Sequence, residues 1–416
     1  MDRKLSVTDS GAKTDQMAMT AKLAQRARRH APVLKCDLLE PFAPVMLGIT
    51  LLSPGEQSPS TPHIPVGPED TRAVIEYAIW WNGDIQHLYE LEHVWVFLDE
   101  ADQIVHVAAS AHGGIFDMAC GLEDGRPLLF CEPGKHAHAD RAETIVSRRA
   151  GLDSACNDLD GSRGILINDI FAQALGFLTP YDHFLAREYL KSQQFSPIYA
   201  FSVSFDLASL PMLSWTELHA QIPRYLRDQM EGLRASRKGI KAIFVDSGDT
   251  LIDEGSQTFD AAEPDLVLTA QPIAGAPQLV AAIKEYDYPL ALVADGRELS
   301  FVNVHVPLGF WDAFDARAIS EICGVSKPDP AIFREAMFKL GLRESDADGI
   351  VFFGNNLGRD IRGGNALGMK TVWLDWGDRY PKQPSGEIEQ PDFIVKTPLE
   401  LLEIIEKLDR LPAESD

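Results

Sequence analysis

At 416 residues the chain exceeds the usual length of one domain, so two domains joined by a linker are expected. Its 45% hydrophobic and 24% charged residues suffice for two buried cores. The 38 Lys and Arg against 62 Asp and Glu give a net charge of −24, which argues against nucleic acid or anionic membrane as the main partner, since both demand clustered cations.

Residues 1–30 are polar and read as a flexible arm, with "AKLAQRARRHA" basic and weakly helical. They lack the apolar stretch of a signal peptide, and Asp2, Asp9 and Asp15 argue against a transit peptide. No apolar run approaches ~18 residues, so no membrane span is expected. The five cysteines, Cys36, Cys120, Cys131, Cys156 and Cys323, are odd in number and include no CxxC pair. That predicts reduced thiols and a cytoplasmic location.

Residues 31–210 open on a Pro- and Ser-rich stretch and continue through strand-like runs: "AVIEYAIWW", "EHVWVFLDE", "IVHVAASAH", "PLLFCEP" and "IYAFSVSFDL". Turn signals such as "LDEADQ" and "EDGRP" separate them, which predicts an all-β, sandwich-like domain. A more irregular or helical piece at about 165–195 interrupts it. Residues 211–239 read as a helical linker. From 240 to 410 the pattern alternates: strands "KAIFV", "YPLALVA", "GIVFFG", "KTVWL" and "DFIV", with helices at "APQLVAAIKEY", "PAIFREAMFKLGL" and "GRDIRGGNALGM" between them. This alternation predicts an α/β, Rossmann-like domain with a parallel sheet.

In such a sheet a ligand binds beyond the carboxyl ends of the strands. Four features fall there. Asp246 ends the first strand in "FVDSGDTL"; "ADGR" follows the second; "SKPDP" with Lys327 precedes a helix; "GNNLGRD" follows a later strand and carries Asn355 and Asp360. Two carboxylates and a lysine converging on one edge suit a divalent cation and a phosphoryl group, with Asp246 able to attack phosphorus.

The order and spacing of these pieces resemble the haloacid dehalogenase (HAD) superfamily, across nearly the whole second half. The resemblance implies a magnesium-dependent phosphohydrolase acting on a small phosphorylated substrate. It implies Asp246 as nucleophile, Lys327 as its charge partner, and Asp246, the Gly248 carbonyl, Asn355 and Asp360 as holders of Mg2+. Asp295, Gly296 and Arg297 would lie at the phosphate or substrate. This chain also departs from the family pattern. Gly248 stands where the family has its general acid and base, with Asp249 displaced by one as a candidate replacement. Ala294 lacks the usual hydroxyl, and Asn355 replaces an acid. The stretch between Asp246 and Ala294 leaves room for a flap but not for a cap domain. The alternative reading is a catalytically degenerate domain acting as a binding or regulatory module.

A second cluster lies in "GDIQHLYELEHVWVFLD", followed by "SAHGG" and "GKHAHAD". Alternate residues of a strand share a face, so Glu90 and Glu92 could point the same way, and imidazole with carboxylate suits a divalent metal. These stretches are similar to the necrosis-inducing NLP proteins and to vacuolar-sorting-type β-sandwich domains. The resemblance implies a second divalent cation at His87, Glu90, Glu92 and His112, with His93, His136 and His138 nearby. The competing reading is a buried hydrogen-bond network. A membrane-active, lectin-like role is the third and remotest alternative. Oligomeric state stays open.

Overall fold

The computed structural model describes residues 21–166 and 171–409. The chain divides into two compact units, Met1–Gly176 with Leu185–Leu233 and Phe177–Phe184 with Arg234–Asp416.

The first unit is built on two sheets. In the larger, β2 (Pro44–Leu52), β3 (Ala73–Trp81), β4 (Glu90–Leu98), β5 (Ile104–Ala111) and β6 (Gly114–Asp117) form an antiparallel meander, and β11 (Met212–Ser214) joins its edge parallel to β2. The other orders β10 (Val203–Asp206), β1 (Val33–Cys36), β8 (Arg126–Cys131) and β7 (Leu122–Glu123), with β9 (His138–Ala139) also on β8. Leu34 and Leu129 from one sheet share a hydrophobic cluster with Leu47, Ile75 and Val94 from the other. β3 is buried along almost its whole length, which is why "AVIEYAIWW" reads as a continuous apolar run rather than an alternating one. Its one acid, Glu76, is buried and accepts hydrogen bonds from Ser58 Oγ (2.8 Å) and Ser60 Oγ. Trp80 and Trp81 are fully buried.

Two expectations are corrected here. Residues 21–30 are not a flexible arm: they form a helix whose Ala27 is fully buried, with its carbonyl accepting a 2.7 Å bond from Tyr77 Oη. Small alanines on one face allow that packing, and the basic face pairs with Asp102 through Arg26 (2.7 Å) and Arg29 (3.1 Å). The rest of the expected arm, 1–20, lies outside the described residues. The 211–239 segment contains helix Trp215–Ser236, yet it is more than a linker. Leu218, Ile222, Leu226 and Met230 recur every four residues and are buried, and Leu218 packs where Gly48 leaves room. Helix Pro180–Ser192 lies in the stretch expected to be irregular or helical, whereas Ala142–Val146 and Arg149–Asn157 are helices without a strong sequence signal.

The second unit is an α/β fold. The six strands of its main sheet are all parallel: β12 (Ala242–Val245), β15 (Leu290–Ala294), β16 (Ala316–Ile319), β17 (Ile350–Gly354), β18 (Lys370–Leu374) and β19 (Phe393–Val395). The spatial order is β16-β15-β12-β17-β18-β19. Every residue of β12, β15 and β17 is buried, as expected of strands covered on both faces. The chain reverses its direction of growth between β12 and β17, and the crevice at such a switch point is where open α/β sheets bind ligands. Between β12 and the next core helix, Ala276–Glu285, sits an antiparallel hairpin of β13 (Ile252–Phe259) and β14 (Val267–Pro272). The space between Asp246 and Ala294 thus holds one hairpin and one helix. Among the described residues no helix is long and apolar enough to cross a membrane.

Candidate active site

Asp246 follows β12 directly, and its amide donates to the Phe353 carbonyl of β17 (3.0 Å), which fixes it at the switch point. The chain then makes one tight turn, with Leu251 N–H donating to the Ser247 carbonyl (2.8 Å). Asp249 takes a left-handed conformation (φ 49°), one that aspartate tolerates better than most residues.

Lys327 carries the electrostatics of the site. Its Nζ lies 2.5 Å from Asp246 Oδ1 and 2.7 Å from Asp360 Oδ1, and its side chain is 2% exposed. Burial opposes its charge, but Asp246, Asp360 and Asp295 outweigh burial and hold the ammonium above the usual lysine range. Its backbone N–H donates to Asp295 Oδ1 (2.9 Å), so the "ADGR" loop positions the lysine. Asp329 caps the following helix by accepting from Ala331 N–H (2.9 Å), with Pro330 as its first residue. Burial raises Asp360, against the pull of Lys327, and its Oδ2 accepts from Asn356 N–H (2.9 Å). Gly354 makes room for it: a Cβ there would meet Asp360 Oδ2 at 2.5 Å. Thr250 Oγ1 donates to Asp246 Oδ2 (3.2 Å). Below, Ser247 Oγ and His305 Nε2 are 2.9 Å apart, and burial lowers His305 to about 4, leaving it neutral.

These groups border a cavity of about 260 Å³ whose wall includes Asp246, Lys327, Glu254, Arg359, Asp295 and Arg297. Drug-sized ligands occupy roughly 300–1,000 Å³, so this volume suits a small one. Asp246, Lys327, Gly248, Asp295, Gly296 and Arg297 all line it. Asp360 stands behind Lys327, and Asn355, five residues before it in the chain, is also buried.

Asp249, expected among the catalytic residues, is not on the cavity wall. Its Oδ1 accepts from Glu254 N–H (2.9 Å) and its Oδ2 from Arg379 Nε (2.6 Å), so it braces the turn against the hairpin. Arg297 does line the cavity, but its guanidinium is paired with Glu263 (2.8 Å) and Asp265 (3.2 Å). The Gly296 amide donates to Ser320 Oγ (2.9 Å), so neither is a ready phosphate donor. Two residues escaped the sequence reading. Arg359, one before Asp360, reaches the wall, 3.5 Å from Asp295. Glu254 lies over Gly248, and burial with Asp249 and Asp246 nearby raises its pKa above the usual glutamate value. The small glycine at 248, unexplained by a turn, was the signal for Glu254.

The second cluster divides. Asp84, His87 and Glu90 bring ligand atoms within 4.8 Å of one another; Asp84 was not anticipated. His87 Nε2 lies 3.8 Å from Asp84 and 3.6 Å from Glu90, but Lys135 Nζ already holds Asp84 at 2.6 Å. Glu92 instead accepts from Ser110 Oγ, and His112 pairs with Glu132 Oε2 (2.7 Å). The expected quartet is therefore split: His87 and Glu90 stay together, while Glu92 and His112 find closer partners. His93 and Ser60 Oγ are 3.0 Å apart, His138 Nδ1 meets the Ser110 carbonyl (3.2 Å), and His136 pairs with Glu40 (3.2 Å) and stacks on Trp81.

Residues 210–368 match the family model described as a haloacid dehalogenase-like hydrolase. The chain is 35% identical over 126 residues to a glyceraldehyde 3-phosphate phosphatase of Methanopyrus kandleri, covering 30% of this chain and 53% of that protein. It is 29% identical over 135 residues to the Pyrococcus furiosus protein of the same name, covering 32% and 55%. To a phosphoserine phosphatase of Thermus thermophilus it is 34% identical over 90 residues, covering 22% and 33%. The chain thus spans about half or less of the length of these relatives.

Proposed function

We propose that the C-terminal domain, a HAD-like hydrolase domain by family model and relatives, hydrolyses a small phosphate monoester in two steps. The observation that carries this reading is Lys327, buried between Asp246 and Asp360 and facing a cavity. An Asp246 carboxylate oxygen bonds to phosphorus as the ester P–O bond breaks, giving an aspartyl-phosphate and an alcohol that must gain a proton. Water then attacks phosphorus, the bond to Asp246 breaks, and inorganic phosphate leaves. Lys327 and Arg359 place positive charge where phosphoryl oxygens would lie.

The oxygen set present fits Mg2+. Asn355 Oδ1 is buried with no hydrogen-bond partner among the described residues, and with Asp246, Asp360 and the Gly248 carbonyl it would make a set of hard oxygen donors. When bound, the ion would supply Lewis-acid neutralisation of the phosphoryl charge. For the first unit we infer a β-sandwich scaffold, supported by the hydrophobic cluster its two sheets share.

Turnover of a panel of small phosphate esters, with magnesium and with EDTA, tests the reading. Asp246→Asn should lose more than about 10³-fold of turnover. Equal rates in the two proteins would overturn the mechanism. Binding of magnesium and orthovanadate without turnover would favour a binding role.

A further inference from the structure

We propose that Glu254 is the proton donor and acceptor of this site, a role its carboxyl fills from the space left open by Gly248. The inference rests on the phosphoryl-transfer reading above. A Cβ on Gly248 would collide with Glu254 Oε1, so the glycine and the glutamate are complementary: the carboxyl group reaches the turn after Asp246 only because residue 248 has no side chain. Glu254 arrives on the first strand of the hairpin and is a wall residue of the cavity that Asp246 borders. Its Oε2 is the anchored oxygen, 3.2 Å from Arg379 Nε and 3.4 Å from the donating Tyr380 Oη, while Oε1 is the oxygen turned to Gly248. A structural ion pair would need only the first of these contacts and no glycine.

The other acids of the wall are committed elsewhere. Asp246 is bound by Lys327; Asp295 gives one oxygen to the Lys327 amide, and its other, without a hydrogen-bond partner among the described residues, lies 3.5 Å from the Arg359 guanidinium. Asp265 pairs with Arg297 on a largely exposed side chain. Asp249 is off the wall with both oxygens bonded.

In the first step protonated Glu254 gives its proton to the ester oxygen as the P–O bond breaks and the bond from Asp246 to phosphorus forms. In the second its carboxylate takes a proton from the water that attacks phosphorus, while the electron pair of the breaking bond returns to Asp246. Glu254 ends protonated, as it began.

Leaving-group dependence tests this. p-Nitrophenolate departs without a proton, whereas phenolate needs one. With E254Q, first-turnover release of phenol from phenyl phosphate should fall about 10²–10⁴-fold and that of p-nitrophenolate less than tenfold, while the second step, common to both substrates, slows equally. The double variant G248D/E254G moves the carboxyl to the other side of the same gap and should keep phenyl phosphate turnover within tenfold of wild type. Equal first-turnover losses with the two substrates, or no loss, overturn the assignment while leaving the Asp246 mechanism intact. If E254Q does not fold, the double variant decides alone: a loss greater than tenfold overturns it. Absence of turnover in the wild type overturns the phosphatase reading and this inference with it.

Discussion

In the first unit Lys135 lies 2.6 Å from Asp84; in the second Lys327 lies 2.5 Å from Asp246 and 2.7 Å from Asp360. Both lysines hold buried carboxylates, and both stand on the wall of a hollow. The hollow in the first unit is the larger, about 510 Å³ against about 260 Å³. Most of its charges are paired among themselves, Glu132 with His112 and Arg148 and Asp84 with Lys135, while Arg163 also reaches its wall. In the second unit one lysine serves two acids, a buried amide oxygen lacks a partner, and a cation and an anion would each find a place. Volume therefore separates the two poorly, and unfinished charge pairing separates them well.

Removing each lysine gives the sharpest contrast. Lys327→Met leaves two buried carboxylates facing each other. It should abolish turnover, by more than about 10³-fold, and cost about 3–5 kcal/mol of stability. Lys135→Met should cost a similar 3–5 kcal/mol by the same physics, since it also strips a buried acid of its partner, but leave kcat unchanged. Denaturant unfolding and phosphate release on the two variants check this. A loss of turnover in Lys135→Met would break the comparison.

Acid should weaken both units through buried neutral histidines. His305 in the second and His138 in the first are each lowered to about 4 by burial, from 6.5. Between those values the unfolded chain binds a proton that the folded one does not, so stability falls as pH drops from 6.5 towards 4. A shift of this size corresponds to about 3 kcal/mol per histidine. His305→Gln should flatten the acid limb for the second unit, and His138→Gln for the first, as read by hydrogen exchange of 242–245 and 128–131 between pH 6.5 and 4.5. An unchanged slope would mean that these rings are not buried as neutral groups.

How far the two units were legible follows from the same contrast. The second unit repeats a short grammar of apolar strand, loop and amphipathic helix, and its strands β12, β15, β17 and β18 lie within the apolar runs that suggested them. Asp246, Lys327 and Asp360 sit at element ends, where sequence order already places them near one edge. Glu254 was hidden because its partner, Gly248, shows only an absence, and the hairpin that carries it has an irregular register between Asp253 and Phe259. In the first unit β3 and β4 were plain, but the ligand set was not. Period two puts Glu90 and Glu92 on one face; it cannot tell that Ser110 takes one, or that Asp84 and Lys135 come from separate loops to join the other. Short helices such as Ala142–Val146 are held by tertiary packing of Ile145 and have too few turns for a period to show.

The smallest expected effect is the one that separates the two acids of the turn after Asp246. Asp249 and Glu254 touch through a single bond, from the Glu254 amide to Asp249 Oδ1, and Arg379 pairs with both carboxylates. Asp249→Asn keeps a carbonyl oxygen for the amide and loses only the charge opposite Arg379, whose side chain is 45% exposed. Asp249 itself is buried, so screening is only partial and the loss of this charge-assisted bond costs about 1.5–3 kcal/mol. Turnover of phenyl phosphate should stay within tenfold of wild type, because the carboxyl facing Gly248 is still in place. A loss of 10² or more, equal to that of E254Q, would show that the two acids work as one unit and that the bracing of Asp249 cannot be divided from the chemistry of Glu254.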